Sequence, residues 1–550
     1  MKWSRSSLLL LGSILGFLLL LGLLPRRGAK KPAAGPAEIS SPVPLAKPDA
    51  AAPARRADAS LDEARAATFR DLMAALRRML ARRDVRPQEA VVAFKDDDAY
   101  QRFLARARQA GLTILDRIDG LHTARVRYDS LESLQRDLMA NASDYTDVGA
   151  NFLMSIPQVP AKEDRAAVNQ VPFGNRALEF LGVTGDHSQW GRGVTIAIID
   201  SGIASDPTFG QGRLRAIDIG FGTAPGTDSE GGHGTSVASL AAGLSPDAPG
   251  VSSAANLLSV RVTDANGTSD IFSVSRAILA AVDAGAKIIN VSLGGYGTTS
   301  TLDAAIGYAT DHGALIVAAA GNDQAAQLTW PAADPRVVSV GAVDAAGQQV
   351  IFSNSGPQLQ MTAPGYAVQT AWLDGERVSV SGTSASAPLV SGAIAAVMSE
   401  NPGYTAQQAW EVLQKTASDA GAPGDDPNYG NGVLNLGWAM NRNNASYIDT
   451  AVASHYYDAA NNQMEFVVQN RSARAVGGLQ FNVAVNGVTS PYAISTLDAG
   501  ASTVIKVNID QSALRSAGSL TFVTQLVNPL GVADQVPSNN RKSSTLTPAK

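Results

Sequence analysis

The pattern of apolar and polar positions changes several times along the chain, and each change predicts a different kind of structure. Leu8 to Leu24 is an uncharged, Leu-rich run of 17 residues. It is long for a signal-peptide core and slightly short for a full membrane span. It predicts an export signal, either cleaved or kept as a membrane anchor, within residues 1–27. Residues 28–59 are rich in Pro and Ala and read as a linker. In Leu61–Arg83, Leu72, Leu76, Met79 and Leu80 recur at helical spacing, with Arg on the other face. This predicts a helix with a solvated basic side, so 28–84 is expected to be linker and basic helix. Segment 88–157 mixes periods. A strand is expected at Val91–Phe94 and a helix at Asp96–Ala110, ended by Gly111. Two strands then fit Leu112–Tyr128 around Asp119-Gly120, followed by a helix over Asp129–Ala142. A small α+β domain is expected at 85–160.

From residue 171 to 440 short apolar runs alternate with helical stretches. Val194–Ile199, Leu257–Val262, Lys287–Val291, Ala314–Ala320 and Val337–Val343 include runs that do not alternate. Strands of that kind are covered on both faces and predict a parallel sheet in an α/β domain, placed at 168–442. After residue 447 alternation returns in Met464–Gln469, Leu479–Val485 and Thr503–Ile509, with another strand at Ser519–Val527. Asn486-Gly487 and Ala499-Gly500 mark turns, and a β-sandwich is expected at 447–550.

Composition narrows the chemistry. Apolar residues make up 45% and charged residues 17% of the 550, which excludes wholesale disorder. Cysteine is absent, so disulfides, a thiol nucleophile and Cys-ligated metals are excluded. Five histidines leave little for a multi-His metal cluster. The net charge of −5 hides an asymmetry: residues 1–83 hold 15 Lys/Arg against 6 Asp/Glu, or +9, so the remainder carries −14. No aromatic-interleaved basic motif accompanies the basic arm, and nucleic acid is not expected as a partner.

Three segments of the α/β region carry candidate chemistry. Val194-Thr-Ile-Ala-Ile-Ile-Asp200-Ser201-Gly202 sets a carboxylate at the carboxyl end of a buried strand, where α/β proteins place their sites. His233-Gly234-Thr235 opens a helix ending near Ala242. Ser381-Gly-Thr-Ser384-Ala-Ser-Ala-Pro388 opens another, running to Met398, and presents a serine where backbone N–H groups face developing negative charge. A serine hydroxyl becomes a nucleophile when an imidazole removes its proton and a buried carboxylate orients that imidazole. The order Asp…His…Ser, with gaps of 33 and 151 residues, is one of three known orders for such a triad.

With these motifs the sequence resembles the subtilisin-like serine proteases, the subtilases, over about 270 residues, roughly half the chain. The resemblance implies a subtilisin-like parallel sheet with helices on both faces, and Asp200 as orienter, His233 as general base then acid, and Ser384 as nucleophile. His122, His187, His312 and His455 lie outside any such motif. Ala318-Ala-Ala-Gly321-Asn322 implies Asn322 and the Ser384 N–H as oxyanion donors. Ser292-Leu293-Gly294 resembles the edge strand to which an extended peptide adds. The small residues Ala319, Ala320 and Gly321 suggest room for a large side chain before the cut bond, and Asp323 tolerance of a basic one.

The stretch from Leu244 lacks the Asn-rich calcium loop frequent in the family, and Asp247 alone does not make a site, since Ca²⁺ takes six to eight oxygens. The expectation is that no cofactor is required, with calcium possible elsewhere but unsupported by any motif. Residues 88–157 resemble the family's propeptide in pattern, and the C-terminal region a bacterial adhesion-type Ig-like module. The expectation is an exported serine endopeptidase, periplasmic, envelope-anchored or extracellular. It would act on polypeptides, be inhibited by its own propeptide-like domain, and mature by self-cleavage between about Gln158 and Gln170, in a polar segment of cuttable composition. Two other readings stand beside it: a non-catalytic adhesion protein on the same fold, and an acid peptidase of the sedolisin type. His233 and Asn322 argue against the latter, which uses Glu and Asp there.

Overall fold

The computed structural model describes residues 73–157, 170–226, 230–264 and 266–548. The expected leader, the linker and the connection at 158–169 lie outside these residues. The described residues form two compact units, one of those up to 151 with 299–301 and one of the rest from 152 on. Among the described residues no helix is long and apolar enough to cross a membrane.

In the first unit, helical residues 73–80 precede β1 (Val85–Phe94), α1 (Asp97–Arg106), β2 (Leu112–Ile118), β3 (Thr123–Tyr128), α2 (Leu131–Ala140) and the first part of β4 (Tyr145–Ser155). The strand order is β2-β3-β1-β4, with β3 antiparallel to both neighbours. The Asp96 carboxylate accepts the Ala99 N–H at 2.8 Å and starts α1, as Ser130 starts α2. Gly111, at φ +74°, closes the turn after α1 in the left-handed region. Phe94, Tyr100, Phe103, Leu112 and Leu134 form the core. Leu76 is buried in that same core while Arg77 and Arg78 are exposed. The helix read as a basic appendage therefore gives its apolar side to this domain, which begins before the boundary expected at 84.

In the second unit the strands are β5 (Thr195–Asp200), β6 (Leu214–Ile217), β7 (Asn256–Arg261), β8 (Thr268–Asp270), β9 (Ile288–Val291), β10 (Leu315–Ala319), β11 (Val338–Val343) and β12 (Met361–Pro364). All but β8 form one seven-stranded sheet in the order β12-β11-β10-β9-β5-β7-β6. Each neighbouring pair is parallel. β9 and β10 are buried at every position, which accounts for their unbroken apolar runs. The helices are α3 (His233–Ala242), α4 (Ile271–Asp283), α5 (Ser300–Asp311), α6 (Thr383–Glu400) and α7 (Ala406–Lys415). α6 packs on α3 and on β9 to β12, burying Leu389, Val390, Ile394 and Val397. A hairpin of β13 (Val368–Ala371) and β14 (Arg377–Val380) stands apart from the large sheet.

The last strands are β15 (Thr450–Asp458), β16 (Gln463–Asn470), β17 (Val476–Val485), β18 (Val488–Leu497), β19 (Ser502–Asn508), β20 (Leu520–Val527) and β21 (Arg541–Leu546). They form two antiparallel sheets, β15-β16-β19 and β18-β17-β20-β21, around one core. Asn486 (φ +46°) and Gly487 (φ +87°) join β17 to β18, the two positive φ values that a tight hairpin turn demands. Phe466 is fully buried, with ring centroids 6.0 Å from Phe481 and 5.9 Å from Phe522. Phe466→Ala should destabilise this domain by about 3–5 kcal/mol, read as an earlier urea midpoint for its unfolding. A change under about 1 kcal/mol would mean the two sheets do not rely on this aromatic centre.

Candidate active site

β5 ends on Asp200, which is fully buried at the carboxyl end of the sheet. Its Oδ1 accepts the Ser201 N–H at 2.7 Å. The His233 Nδ1–H faces both carboxylate oxygens, at 2.8 and 3.0 Å. This fixes the tautomer and leaves Nε2 for the open side. The adjacent glycine explains how α3 comes so near. A side chain on Gly234 would collide with the Gly202 carbonyl. Ser201 ties the loop down, donating to Gly231 O at 3.1 Å and accepting from Gly234 N at 3.0 Å.

Burial pushes the His233 imidazole toward its neutral form. The charge and hydrogen bond of Asp200, with the charge of Glu230, push the other way and prevail, so its pKa stands above the ordinary histidine value. His455 shows the opposite balance. Its ring nitrogens bond the hydroxyls of Ser544 and Thr524, and burial, helped by Lys542, lowers it to about 3. His312 caps Tyr308 O, His187 lies near Gly185 O, and His122 belongs to the first unit; none joins the site.

Ser384 stands in the first turn of α6 and is almost fully buried. It shares a cavity of about 200 Å³ with His233, Glu230, Trp372, Ile156 and Pro157. Gly382, at φ +143°, precedes the helix, and a Cβ there would lie 2.9 Å from Asn322 Nδ2 and 3.0 Å from Ser384 Oγ. Glycine thus keeps hydroxyl and amide facing one open space. Beneath the helix, Asn290 Nδ2 donates to Ser292 Oγ, which donates to the Ser384 carbonyl.

Asn322 follows β10 and is buried. Its Oδ1 accepts from both the N–H and the hydroxyl of Thr383, each at 2.9 Å. That pairing turns Nδ2 outward, where it donates to the Pro157 carbonyl at 2.9 Å. Thr383 is a positioning residue that sequence reading passed over. It lies inside the serine motif, but its role depends on an amide 61 residues away.

The segment Phe152–Pro157 occupies the approach to this centre. Ser155 exchanges two backbone hydrogen bonds of 3.0 Å with Gly294. Leu153–Ser155 also pair antiparallel with β8. The tail therefore lies between β8 and the Gly294 bridge, and β8 is a second edge that sequence reading did not find, being only three residues long. Of the expected edge, Gly294 makes the pairing, whereas Leu293 and Ser292 face the interior. Ala319, Ala320 and Gly321 are all buried, and the Gly321 N–H reaches Thr383 Oγ1 at 3.1 Å. Asp323 is engaged: the Tyr296 hydroxyl donates to it at 2.6 Å, and Asn354 Nδ2 donates to the Tyr296 oxygen at 2.9 Å. Asp247 is paired with Arg377 at 3.1 Å. Among the described residues no group of three His, Asp or Glu side chains is arranged to hold a metal.

The subtilase family profile matches residues 191–432, enclosing Asp200, His233, Asn322 and Ser384. A thermostable alkaline protease of Halalkalibacterium halodurans is 36% identical over 290 residues, covering 52% of this chain and 78% of that one. Subtilisin Savinase of Lederbergia lenta is 34% identical over 247 residues, covering 44% and 90%. Fervidolysin of Fervidobacterium pennivorans, a keratinolytic enzyme related to subtilisin, superposes with a TM-score of 0.55 over 82% of this chain and 88% of its own, at 17% identity, and so speaks for the fold. By the two sequence relatives, and by the fold on which its motifs stand, this chain belongs to the subtilase family of serine proteases.

Proposed function

We propose that the chain is an exported serine endopeptidase made as a precursor that cuts itself. In this reading Ser384 Oγ attacks the substrate carbonyl while His233 Nε2 takes its proton. The same imidazole then gives that proton to the leaving amine, and water repeats the cycle on the acyl-enzyme. Asp200 holds the tautomer and stabilises the imidazolium. The Asn322 amide and the Ser384 N–H meet the oxyanion. Substrate adds as a strand along Gly294, with Ser292, Leu293 and Ala319–Gly321 forming the surrounding wall. This chemistry of an activated hydroxyl calls for no cofactor. The N-terminal domain, once released, acts as an inhibitor through its own tail.

The observation that carries the reading is the Asn322–Pro157 hydrogen bond beside the cavity of His233 and Ser384. It supports the bond after Pro157, at the near edge of the expected window, as the self-cleaved one. Wild-type chain should lose its N-terminal part, with a new N-terminus within 158–170, and should be labelled by a fluorophosphonate. Ser384→Ala and His233→Ala should keep the full length, and the double variant should be no slower than either alone, because the pair acts as one unit. Trimming of purified Ser384→Ala at the same bond would sink self-processing, and an unlabelled wild type would sink the enzyme reading.

Asn322→Ala should lower kcat by about 10²–10³ with little change in KM, a figure carried over from a subtilisin rather than obtained from this site. The bond Asn322 makes to a neutral carbonyl, as to Pro157 O, strengthens as that oxygen gains charge, so most of the loss should fall on kcat and only a small part on ground-state binding. A KM rise at constant kcat would assign Asn322 to substrate positioning instead.

The charge of Glu230 helps hold the His233 pKa up. Glu230→Gln should therefore move the acid limb of kcat/KM to lower pH, since neutral imidazole then persists into more acidic solution. An unmoved limb, or one shifted upward, would remove Glu230 from the electrostatics of the base.

A further inference from the structure

We infer that Pro157 slows the cut the chain makes in itself, because the residue before that bond has no N–H to give the cleft. The inference rests on the self-processing reading above and concerns the rate of that same step. It starts from register. Ser155 and Gly294 exchange two backbone hydrogen bonds of 3.0 Å in an antiparallel bridge. In an antiparallel ladder such bonded pairs recur at every second residue, counted in opposite directions on the two strands. The next pair after Ser155 and Gly294 sets residue 157 against Ser292. An ordinary residue at 157 would donate its N–H to the Ser292 carbonyl. Proline carries no such hydrogen. The strand stops where this predicts: β4 ends at Ser155, two residues before the proline.

The consequences fall on the bond to be cut. Asn322 Nδ2 holds the Pro157 carbonyl at 2.9 Å, while the nitrogen of the same residue gives no second anchor. Attack by Ser384 needs the carbonyl carbon kept within a narrow range of distance and angle, so a missing anchor lowers the fraction of time spent there. Ser292 is fully buried, so its carbonyl gains from a donor that proline withholds. Proline has the reverse effect on seating. It confines the residue before it to extended conformations, which are those the cleft requires. Ile156 is buried at the cavity shared with His233 and Ser384, so this end of the tail is well seated. One residue therefore favours occupation of the cleft and disfavours reaction in it. A precursor built this way stays inhibited by its own tail for longer than the same chain with an N–H at 157.

The test combines the full-length chain with short peptides. In cell-free synthesis, Pro157→Ala should shorten the half-time of precursor conversion about tenfold, the worth of one hydrogen bond, with the new N-terminus at Gln158. Mature wild-type enzyme is then given the peptide of residues 152–161 with Pro, Ala or N-methylalanine at 157. The Ala peptide should be cut with kcat/KM about tenfold above the Pro peptide. N-methylalanine lacks the N–H without forming a ring, and should fall with Pro. An N-methylalanine peptide cut as fast as the Ala one overturns the inference, and needs no variant to fold. So does an unchanged or longer half-time for a Pro157→Ala chain that converts to fluorophosphonate-labelled enzyme, and so does self-cleavage of the wild type at another bond. A wild type that is labelled but cuts the Pro and Ala peptides alike refutes this inference and leaves the protease reading standing. One that is neither labelled nor active on any of these peptides refutes both.

Discussion

Asp200 carries an ionisable carboxylate where no water reaches it. Isolated, such a buried charge is strongly disfavoured. Here the His233 N–H faces both its oxygens and the Ser201 N–H reaches one of them. The arrangement works only if α3 starts within hydrogen-bond distance of the end of β5. That distance in turn requires Gly234 against Gly202, and a loop tied by Ser201. Much of the local backbone is organised around keeping one buried carboxylate supplied with donors.

The same logic recurs at the second half of the site. The Asn322 amide has two ends, and an unrestrained amide could present either. Thr383 occupies the oxygen end twice over, which leaves only N–H for the cleft. Gly382 keeps that donor and the Ser384 hydroxyl from being separated by a side chain. A helix N-terminus that already favours negative charge is thus joined by a fixed side-chain dipole from a neighbouring strand.

Much of this was legible in the sequence because strong local signals coincide with it. The buried runs of β5, β9 and β10 read directly as strands of a parallel sheet, and Asp200, His233 and Ser384 each sit in a short motif at an element end. Less legible was whatever depends on tertiary partners. β8 has three residues and gains its strand character only by pairing with Leu153–Ser155. The residue pattern did not mark β4, which only the propeptide resemblance implied, nor the share of the N-terminal core that Leu76 supplies, since a helix face shows its period but not what covers it. At Ala319–Gly321 side-chain volume could be read along the chain, but not that Thr329 and Asn354 approach Gly321 from elsewhere in the fold.

The pairing of Leu153–Ser155 with β8 on one side, and of Ser155 with Gly294 on the other, sets a condition on anything that takes their place. A polypeptide must surrender its own backbone hydrogen bonds over several consecutive residues and run straight for about 3.3 Å per residue. Helices and the inner strands of a folded domain cannot do so without local unfolding. Under the proposed function the cleft therefore selects for conformation before side chains. The length of exposed, extensible chain that a target offers, set by its own local stability, becomes the first determinant of how fast it is cut.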